Sequence, residues 1–486
     1  MLDIRWKPDR ESDRPLYEQI VTYVSGRIAA GEWPAGSVLP PQRELAALLA
    51  VNRSTVVTAL EELKSRGLLE TAGKQGTRIA APAPGSAQTG QPDWAYHIRE
   101  GVHFSNDETI QQINRLETRP GMIRLSSGEV SPSLYPVAAM QSVLGELAGT
   151  LGHMGYEEPR GSFALREQIC LYLKQSGIQV SPDCVLIVSG ALQAIQLIAM
   201  GLLQTGSMVL MERPSYLYSL NILPSMGMRR YGLPLDRQGL RSELLEGFRP
   251  RNHQALLYVN PSFQNPTGTV MSEDRRRQLM AICSRERIPV VEDDVYRELW
   301  IDGPLPPPLK AMDDQGLVLH VGSVSKTLSP GLRIGWIAGP ETVIERLSDL
   351  KMQSDYGSSS LAQAAVALWM ARGHSEGHMA ALREHLALRR EAALEALEAS
   401  FRDIARWEVP AGGFYVWLEL LVPVRVSQVF EEALKAGVLF YPGYLYDTET
   451  NHYLRISYSY AELEEIREGI FKLSRIIRQL LKRQPL

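Results

Sequence analysis

The sequence predicts a multidomain chain, with a small α+β unit at the N-terminus, a mostly parallel α/β sheet after it, and a smaller α+β lobe at the C-terminal end. The length of 486 residues exceeds what one ordinary hydrophobic core organises. Residues 81–95 form a stretch rich in Pro, Gly, Ser and Gln that is typical of a linker. Beyond about residue 118, short apolar runs alternate with segments of helix length, which is typical of strands covered on both faces.

These shifts in pattern define the predicted boundaries. Long charged helices around residues 380–402 and 461–483, with a few strands between them, mark the smaller lobe. The predicted bounds are residues 1–80 for the N-terminal unit, 81–117 for the linker and 118–486 for the body, with the large lobe at about 150–355 and the small lobe at about 356–486 plus the N-terminal segment of the body.

Composition excludes several classes of protein. The 44% hydrophobic and 22% charged residues are those of a globular protein, and no apolar run is long enough to cross a bilayer. The N-terminus MLDIRWKPDR lacks the apolar stretch of a signal peptide. Three cysteines without a CxxC spacing favour a reducing, cytoplasmic location over a disulfide framework or a thiolate metal site. The net charge of −4 means that any nucleic-acid binding must depend on locally placed cations.

The first 80 residues predict three helices and a hairpin. The segment PLYEQIVTYVSGRIAAG carries one apolar stripe of Leu16, Ile20, Val24 and Ile28. The segments PQRELAALLA and VNRSTVVTALEELKSRG predict two further helices, and LLETAGKQGTRIA predicts two short strands around its glycines. We expect the following residues of the second and third helices to be buried: Leu45, Leu48, Leu49, Val56, Leu60 and Leu63.

The second and third helices, joined by a tight turn at Val51–Asn52, are typical of a helix-turn-helix with the hairpin as a wing. In this arrangement the first residues of the recognition helix reach base edges in the major groove of double-stranded DNA. An arginine there can bind guanine in a bidentate manner, and hydroxyl groups can bind phosphates or bases. Ordinary solvated helix caps are the alternative interpretation. The candidate DNA-binding residues are Arg43, Arg53, Ser54, Thr55, Lys74 and Gly76.

These motifs, from PLYEQI through WPAGSVLPPQRELA and VNRSTV to GLLE, closely resemble the GntR family of winged-helix repressors over about residues 14–80. The resemblance implies DNA contacts by Arg43, Arg53, Thr55 and the wing around Gly76. Two departures are visible: a proline precedes the second helix where serine is common, and an alanine ends it where glycine is usual.

Polar side chains follow the predicted strands of the body, where ligands collect in α/β sheets. The segment GSVSKTLSPGLRIGW contains Lys326, flanked by Ser323 and Ser325, with Arg333 seven residues later. A lysine close to a phosphate and an arginine can lose its proton and attack an aldehyde. Ser323 and Arg333 would hold the phosphate. A surface lysine is the alternative.

Other segments supply what a pyridoxal phosphate (PLP) site needs around the cofactor ring. In VVEDDVYREL, Asp293 would keep the ring nitrogen protonated and Tyr296 would donate to the phenolic oxygen, as would Asn265 in VNPSFQNPTG. In SGALQAI, the amides of Gly190 and Ala191 would bind the phosphate at a helix N-terminus. A solvated acidic loop and a plain Asn-Pro turn are the alternatives for the first two segments.

The segment MERPSYLYSL presents Tyr216 for stacking on the ring, with a buried core tyrosine as the alternative. In this order, the motifs resemble the fold-type I aminotransferases over roughly residues 120–480. The resemblance implies a homodimer with sites at the subunit interface. It also implies that Tyr156 reaches the phosphate of the partner subunit, Gly128 lines the substrate side, and Arg455 binds the α-carboxylate of the substrate or effector. One departure is that YEEPRG carries two glutamates where small or polar residues are common.

Two remaining signals favour structural interpretations. His374 and His378 lie four residues apart, but without a third ligand they predict a solvated surface, and the sequence predicts no metal site. The C-terminal run RIIRQLLKRQ predicts an amphipathic packing helix with a basic outer face rather than a membrane anchor.

A GntR-type head before an aminotransferase-like body resembles the MocR/GabR subfamily of regulators. This resemblance implies that PLP, or its adduct with a small amino compound, controls transcription through imine exchange at Lys326. Because every residue needed for the chemistry is present, a working aminotransferase with an accessory DNA-binding domain is the alternative. A DNA-binding protein whose body merely dimerises is the third possibility. The identity of the effector and the operator sequence stay open.

Overall fold

The computed structural model contains two compact units, residues 1–102 and 103–486. The division falls within the linker that the sequence predicts. The described residues are 4, 6–10, 12, 14–71, 76–80, 94–101, 103–150, 152, 155–248, 255–447 and 451–483.

The N-terminal unit contains the predicted three helices and hairpin. The elements are α1 (Leu16–Ala29), α2 (Gln42–Leu49), α3 (Arg53–Ser65), β1 (Leu69–Thr71) and β2 (Thr77–Ile79). The two strands pair antiparallel, with Leu69 opposite Ile79. The tip of the hairpin, including Lys74, lies outside the described residues, so its predicted DNA contact stays a prediction.

The core of this unit is apolar, as expected, but the second helix differs from the prediction. The buried side chains include Ile20, Val24 and the three residues predicted for the third helix. Leu48 is 39% exposed, because α2 turns Leu45 and Leu49, which are four residues apart, toward the core. In a helix of eight residues this buried face is narrow, and Leu48 lies beside it.

Two helices occur within residues 81–117, for which the sequence predicts a linker. Helix α4 (Trp94–Glu100) belongs to the first unit, and α5 (Glu108–Leu116) to the second. Ile110 and Ile113 of α5 are buried in the core of the small lobe. The compositional signal of a linker ends near residue 95, and the spacing of these two isoleucines fits one helix face.

The large lobe is built on an eight-stranded sheet in the order β4-β11-β10-β9-β8-β5-β6-β7. In this sheet β11 pairs antiparallel with β10 and with β4, and β7 pairs antiparallel with β6, while the other described pairings are parallel. The prediction of a mostly parallel sheet is therefore confirmed. The strands, after β3 (Ile123–Arg124), are β4 (Val185–Val188), β5 (Met208–Arg213), β6 (Arg229–Asp236), β7 (Gly239–Leu240), β8 (Ala255–Val259), β9 (Val290–Asp293), β10 (Val318–Ser323) and β11 (Gly335–Ala338).

Six of these strands coincide with apolar runs in the sequence. Every residue of β4, β9, β10 and β11 is buried, as expected for strands covered on both faces. Strand β6 has no such run, because it lies near the sheet edge and exposes half of its residues. The helices of this lobe are α6 (Val137–Thr150), α7 (Phe163–Gln175), α8 (Ala191–Leu202), α9 (Ile222–Ser225), α10 (Glu273–Glu286), α11 (Glu341–Ser354) and α12 (Ser360–Ala371).

The small lobe combines a four-stranded antiparallel sheet, in the order β12-β13-β16-β15, with long helices. Strand β3, from the N-terminal segment of the body, pairs in parallel with β14, with Ile123 opposite Val438. The elements are α13 (His374–Phe401), β12 (Ala405–Trp407), β13 (Tyr415–Leu420), α14 (Val426–Lys435), β14 (Val438–Leu439), β15 (Tyr441–Pro442), β16 (Tyr453–Ser457) and α15 (Leu463–Arg483). Within the described part of the chain, no helix is both long and apolar enough to span a membrane.

Candidate functional site

A cavity of about 400 Å³ lies where β9 and β10 end, beside the loops that follow β5 and β8. Parallel strands bring their carboxyl ends to one edge of the sheet, so residues distant in sequence meet there. The structure brings together at this cavity most of the predicted cofactor and substrate residues: Gly128, Ala191, Tyr216, Asn265, Asp293, Tyr296, Ser323, Ser325, Lys326, Arg333 and Arg455.

The Lys326 side chain projects into this cavity from the turn after β10. Its Nζ donates a hydrogen bond to the Gly128 carbonyl oxygen at 2.6 Å and lies 5.7 Å from the centroid of the Tyr296 ring. A Cβ at Gly128 would lie 3.0 Å from the Tyr415 hydroxyl and 3.5 Å from Nζ. A residue without a side chain at position 128 therefore keeps the space around the lysine amine open.

The Asp293 carboxyl group is buried at the end of β9. Its Oδ2 accepts a 2.6 Å hydrogen bond from the Tyr258 hydroxyl, while Oδ1 has no partner among the described residues. Burial raises the pKa of Asp293 to about 6, although the bond from Tyr258 opposes this. A buried carboxylate oxygen without a donor fits the protonated ring nitrogen of PLP, which would supply one.

Asn265 and Tyr296 form a connected pair in the cavity wall. The Asn265 amide nitrogen lies 3.4 Å from the Tyr296 hydroxyl, which lies 3.1 Å from the Tyr415 hydroxyl. Burial raises the pKa of Tyr296 well above its usual value, so the phenol keeps its proton and stays a donor. Tyr216 joins this wall through its backbone N–H, which donates to the Asn265 carbonyl oxygen at 3.0 Å. Its half-buried side chain lines the cavity and also packs against the hydrophobic core.

Hydroxyl, amide and guanidinium donors converge at the N-terminus of α8. The Ser323 hydroxyl donates to that of Ser325 at 2.9 Å, and Arg333 Nη2 donates to the Ser189 carbonyl oxygen at 2.6 Å. Gly190, the N-cap, has a φ of 90°, and a Cβ there would lie 2.6 Å from Arg333 Nη2. Glycine is thus required for the arginine to approach this helix end, which suits a phosphate.

Arg455 is buried on β16 among aromatic rings. Its Nη1 donates to the Asn265 side-chain oxygen at 2.9 Å, and its Nη2 donates to the Ser126 carbonyl oxygen at 2.7 Å. The guanidinium carbon lies 4.0 Å from the ring centroid of Tyr415 and 4.4 Å from that of Tyr441. Its Nε has no partner among the described residues. A buried cation with an unused donor can bind a carboxylate.

Sequence reasoning missed several residues of this cavity. Tyr258, on β8, contacts Asp293 from inside an apolar run, where nothing in the sequence distinguishes it from a core residue. Asn260 follows the same strand, donates to the Asp293 carbonyl oxygen at 2.5 Å, and carries the signal of a polar residue at a strand end. Further polar residues come from the small lobe and from the predicted linker: Asn106, Asn114, Glu117, Tyr415, Tyr441 and Tyr446.

Tyr156 does not line the cavity of its own chain. Its side chain is 79% exposed, and its ring lies 5.2 Å from that of Tyr356. Exposure accords with the prediction that this tyrosine serves a partner subunit, and that role stays a prediction.

The candidate DNA-binding residues lie at the start of α3 and on the elements beside it. Arg43, Arg53 and Ser54 are exposed, and Thr55 is half-buried. Arg53 Nη2 donates to the Gln42 side-chain oxygen at 3.2 Å, so its guanidinium is held at the exposed surface of the two helices.

The turn and the wing have the expected backbone. Asn52 has the extended conformation of an N-cap, but its side chain makes no capping hydrogen bond. Gly76, at the start of the second wing strand, has a φ of 90° and is exposed. The identity of the side chains that contact DNA stays a prediction.

The two histidines of the GHSEGH segment are half-buried, so the sequence prediction of a solvated surface is corrected in part. The rings of His374 and His378 lie 5.1 Å and 5.9 Å from that of Trp369. The His378 Nε2 lies 2.7 Å from the Thr327 carbonyl oxygen. The reason is that α13 begins at His374 and packs its first turn against α12.

Another group of polar residues lies beneath the cofactor cavity. Glu292, Asp294 and His320 bring ligand-type atoms within 4.8 Å of one another, and all three are buried. The backbone N–H groups of Leu309 and Lys310 donate to the Glu292 carboxylate at 2.6 Å and 3.0 Å, and the His320 ring adds a 3.0 Å contact. Both oxygens of Glu292 are therefore engaged in a buried hydrogen-bond network.

Comparison with known proteins divides the chain in the same way. Residues 16–79 match the GntR family of bacterial regulatory proteins, and residues 120–472 match the aminotransferase class I and II family. The chain is 47% identical over 470 residues to the HTH-type transcriptional regulator YdfD of Bacillus subtilis, covering 96% of this chain and 98% of YdfD. It is 32% identical over 445 residues to the HTH-type transcriptional regulator NorG of Staphylococcus aureus, covering 91% and 100%.

Solved structures match the body. The kynurenine aminotransferase of Pyrococcus horikoshii is 29% identical with a TM-score of 0.74, covering 82% of this chain and 99% of the enzyme. The multiple substrate aminotransferase of Thermococcus profundus is 29% identical with a TM-score of 0.73, covering 78% and 97%. The chain therefore belongs to the aminotransferase class I and II family and, through its GntR-type head, to the MocR/GabR subfamily of transcription regulators.

Proposed function

We propose that this protein is a DNA-binding transcription regulator whose body holds PLP at Lys326 and senses a small amino compound. The observation that carries the proposal is the convergence on one cavity of the lysine, the buried acid and the arginines that the sequence singles out. The relatives named as transcriptional regulators support the regulatory role, and the kynurenine aminotransferase, whose structure is a complex with PMP, supports the cofactor. A double-stranded DNA operator and the cytoplasmic location predicted from the sparse cysteines accord with this role.

The residues of the cavity divide naturally around the cofactor. Asp293 would bind its ring nitrogen, and Tyr296 and Asn265 would donate to its phenolic oxygen. Its phosphate would lie at the N-terminus of α8, beside Ser323 and Arg333, with Ser325, Gly190 and Ala191 completing this cradle. When bound, PLP supplies an aldehyde that combines with amines and a ring that withdraws electrons.

The chain's own residues orient the effector and keep water out. Arg455 would bind the effector's carboxylate, since its Nε is free of partners among the described residues and its other nitrogens are fixed. Tyr415 and Tyr441 cover this guanidinium and reduce its contact with water. Tyr216 would lie against the cofactor ring. An effector amine that takes the place of the Lys326 amine would release this side chain from the cofactor.

An effector controls transcription only if it binds two arrangements of the protein with unequal affinity. We propose that the protein is a homodimer and that the state of Lys326 biases the arrangement of its two DNA-binding heads. In one state the effector would fill the cavity and leave Lys326 free, and in the other Lys326 would hold the cofactor.

The experiment is to incubate the purified protein with PLP, treat it with borohydride and map the modified residue by mass spectrometry. We expect a visible absorption band and a fixed cofactor mass on Lys326. Lys326→Ala should lose both while its affinity for operator DNA without effector stays within about threefold of wild type. A protein that stays colourless with PLP would contradict the proposal.

The complete cavity favours a second candidate function, that of a working aminotransferase with an accessory DNA-binding domain. An aminotransferase needs an acid and an arginine that are held in place. Tyr258 holds Asp293 by a hydrogen bond, and Asn265 holds the guanidinium of Arg455. Mixing the PLP-loaded protein with amino donors and a keto-acid acceptor separates the two functions. Sustained turnover at metabolic rates would favour the enzyme, and a single conversion of the bound cofactor would favour the regulator.

A further inference from the structure

One charged residue of the cofactor cavity has no role in the proposed function. Five lining residues carry a formal charge within the described part of the chain, and four of them have roles: Lys326, Asp293, Arg333 and Arg455. The fifth is Glu117, which directly follows α5. An acid in a cavity that receives a ligand is costly to keep unless the ligand or the protein uses its charge.

Glu117 is anchored next to the arginine that would bind the effector's carboxylate. One oxygen of its half-buried carboxylate accepts a 2.8 Å hydrogen bond from the Ser126 hydroxyl. The carbonyl oxygen of the same Ser126 accepts the bond from Arg455 Nη2. The acid and the arginine are thus both hydrogen-bonded to Ser126.

No described neighbour of Glu117 neutralises its charge, so the charge can interact with a ligand in the cavity. Among the described residues, no cationic side chain lies within ion-pair distance of its carboxylate, and its one hydrogen-bond partner is neutral. Burial first, and the negative charge of Glu117 in addition, raise the pKa of Tyr441, so this phenol stays a neutral neighbour. The side chains of Asn106 and Asn114, from the same segment, extend this polar wall of the cavity.

We propose that Glu117 makes the protein select amino acids whose side chain ends in a positive charge, such as lysine or ornithine. This inference rests on the proposed function. With the carboxylate of the effector on Arg455 and its amine at Lys326, its side chain is left to meet the wall that Glu117 and the asparagines form. A cationic end pairs with the acid, an apolar end leaves the acid unpaired, and an anionic end is repelled.

A purely structural role for Glu117 predicts a different behaviour. If the acid served only to position the Ser126 loop, its removal would weaken the binding of all amino acids alike. Glu117→Gln separates the two roles, because the amide oxygen can still accept the bond from the Ser126 hydroxyl while the charge is lost.

The experiment titrates the PLP-loaded full chain with lysine, ornithine, norleucine and glutamate, and follows the change in the visible absorption band of the cofactor. Norleucine is the uncharged analogue of lysine with a similar reach. We expect lysine or ornithine to reach half-saturation at a concentration at least about fivefold lower than norleucine, as for a partly shielded ion pair. Glu117→Gln should reduce this ratio to about one, because lysine loses its counter-charge and norleucine no longer leaves an acid unpaired.

The matched control is Glu108→Gln, which removes an exposed acid from the first turn of the same helix and should leave the ratio unchanged. A wild-type protein that prefers norleucine or glutamate, or that responds to none of the four amino acids, would overturn the inference. So would a Glu117→Gln protein in which all half-saturation values shift by one factor. Failure of the proposed function is distinct, because the protein would then show no cofactor band before any amino acid is added.

Discussion

At the scale of single residues, Asp293 links the cofactor site to the pH response of the body. Its pKa of about 6 in the folded chain lies above the ordinary value of 3.8, chiefly because of burial. The folded chain therefore retains a proton that the unfolded chain loses between these two values. The resulting stability is fully present below about pH 4 and is lost as the pH rises through about 6.

We therefore expect Asp293→Asn to stabilise the cofactor-free body relative to wild type at pH 7 but not at pH 4. The difference in the free energy of unfolding should grow by up to about 3 kcal/mol between these pH values. Urea unfolding followed by tryptophan fluorescence measures it.

The control is Asp355→Asn, for which the change in the free energy of unfolding should depend on pH in the opposite direction. Burial alone would raise the pKa of Asp355, but hydrogen bonds from Lys351 and Gln193 outweigh it and lower the pKa. Its ionised form therefore stabilises the fold, and Asp355→Asn should cost more at pH 7 than at pH 4. If the two variants showed the same pH trend, burial would not be what sets the state of Asp293.

The same scale shows which site residues a sequence can reveal. Lys326 and Asp293 follow strand-like apolar runs, and parallel strands deliver such positions to one edge, so their meeting could be predicted. Tyr258 could not, because it looks like one more apolar member of a buried strand. Glu117 lies in a stretch without strand periodicity, and only the folding of α5 against the small lobe brings it to the cavity.

At the scale of elements, the turn between α2 and α3 includes a residue in an unfavourable backbone conformation. Ala50 has a φ of 55°, in the left-handed region that favours glycine, and its N–H closes the end of α2. A Cβ in this conformation is unfavourable by roughly 1 kcal/mol.

Ala50→Gly should therefore stabilise the helix-turn-helix by about 0.5–1 kcal/mol. Amide hydrogen exchange of the full chain, resolved by mass spectrometry, should become about two- to fivefold slower in α2 and α3. Ala47→Gly, at an exposed helical position of α2, should speed exchange by a similar factor. Faster exchange in Ala50→Gly would show that the turn needs the alanine.

The recognition helix carries the next prediction. Arg53 lies exposed at the first residue of α3, where a major-groove reader meets base edges. Arg53→Ala should cost on the order of 1–3 kcal/mol in operator binding, measured by fluorescence anisotropy at fixed salt.

The comparison for Arg53 is Arg66→Ala, which removes an exposed arginine that is paired with Glu62 at the other end of α3. It should change operator affinity by less than about threefold, since such surface pairs contribute little. Equal losses of operator affinity in the two variants would mean that only net charge matters. The first residues of α3 would then not be the ones that contact base edges.

Elements differed in how well the sequence predicted them, for physical reasons. Strands that are mostly buried on both faces have continuous apolar runs in their sequence, so β4, β5 and β8 to β11 could be predicted. Strand β6 alternates between solvent and core without a continuous run, and α5 follows a stretch whose composition suggests a linker. The sheet order and the joining of β3 to β14 depend on contacts between distant segments, which local periodicity does not encode.

At the scale of the whole molecule, the exposed Tyr156 allows a test of whether two subunits share one cofactor site. If it completes the phosphate site of a partner subunit, two defective chains should repair each other. A dimer of one Lys326→Ala chain and one Tyr156→Phe chain would contain one site with both native residues.

Mixing these variants under conditions that exchange subunits should restore binding of PLP with wild-type affinity at up to half of the chains present. Equilibrium titration of the visible band measures this. Each variant mixed with itself is the control and should show no site of wild-type affinity. If the mixture merely averaged the two parents, Tyr156 would act within its own chain or not at all.

Helix α5 also determines where this chain can be cut and joined to a relative. A chimaera joined at residue 118 would import a foreign wall for the ligand pocket and foreign isoleucines for the small-lobe core. One joined near residue 102 would transplant the pocket intact. The residues that determine ligand preference and the residues that connect the body to the head thus form one continuous stretch of the chain. In evolution, an exchange at residue 118 would therefore change both together.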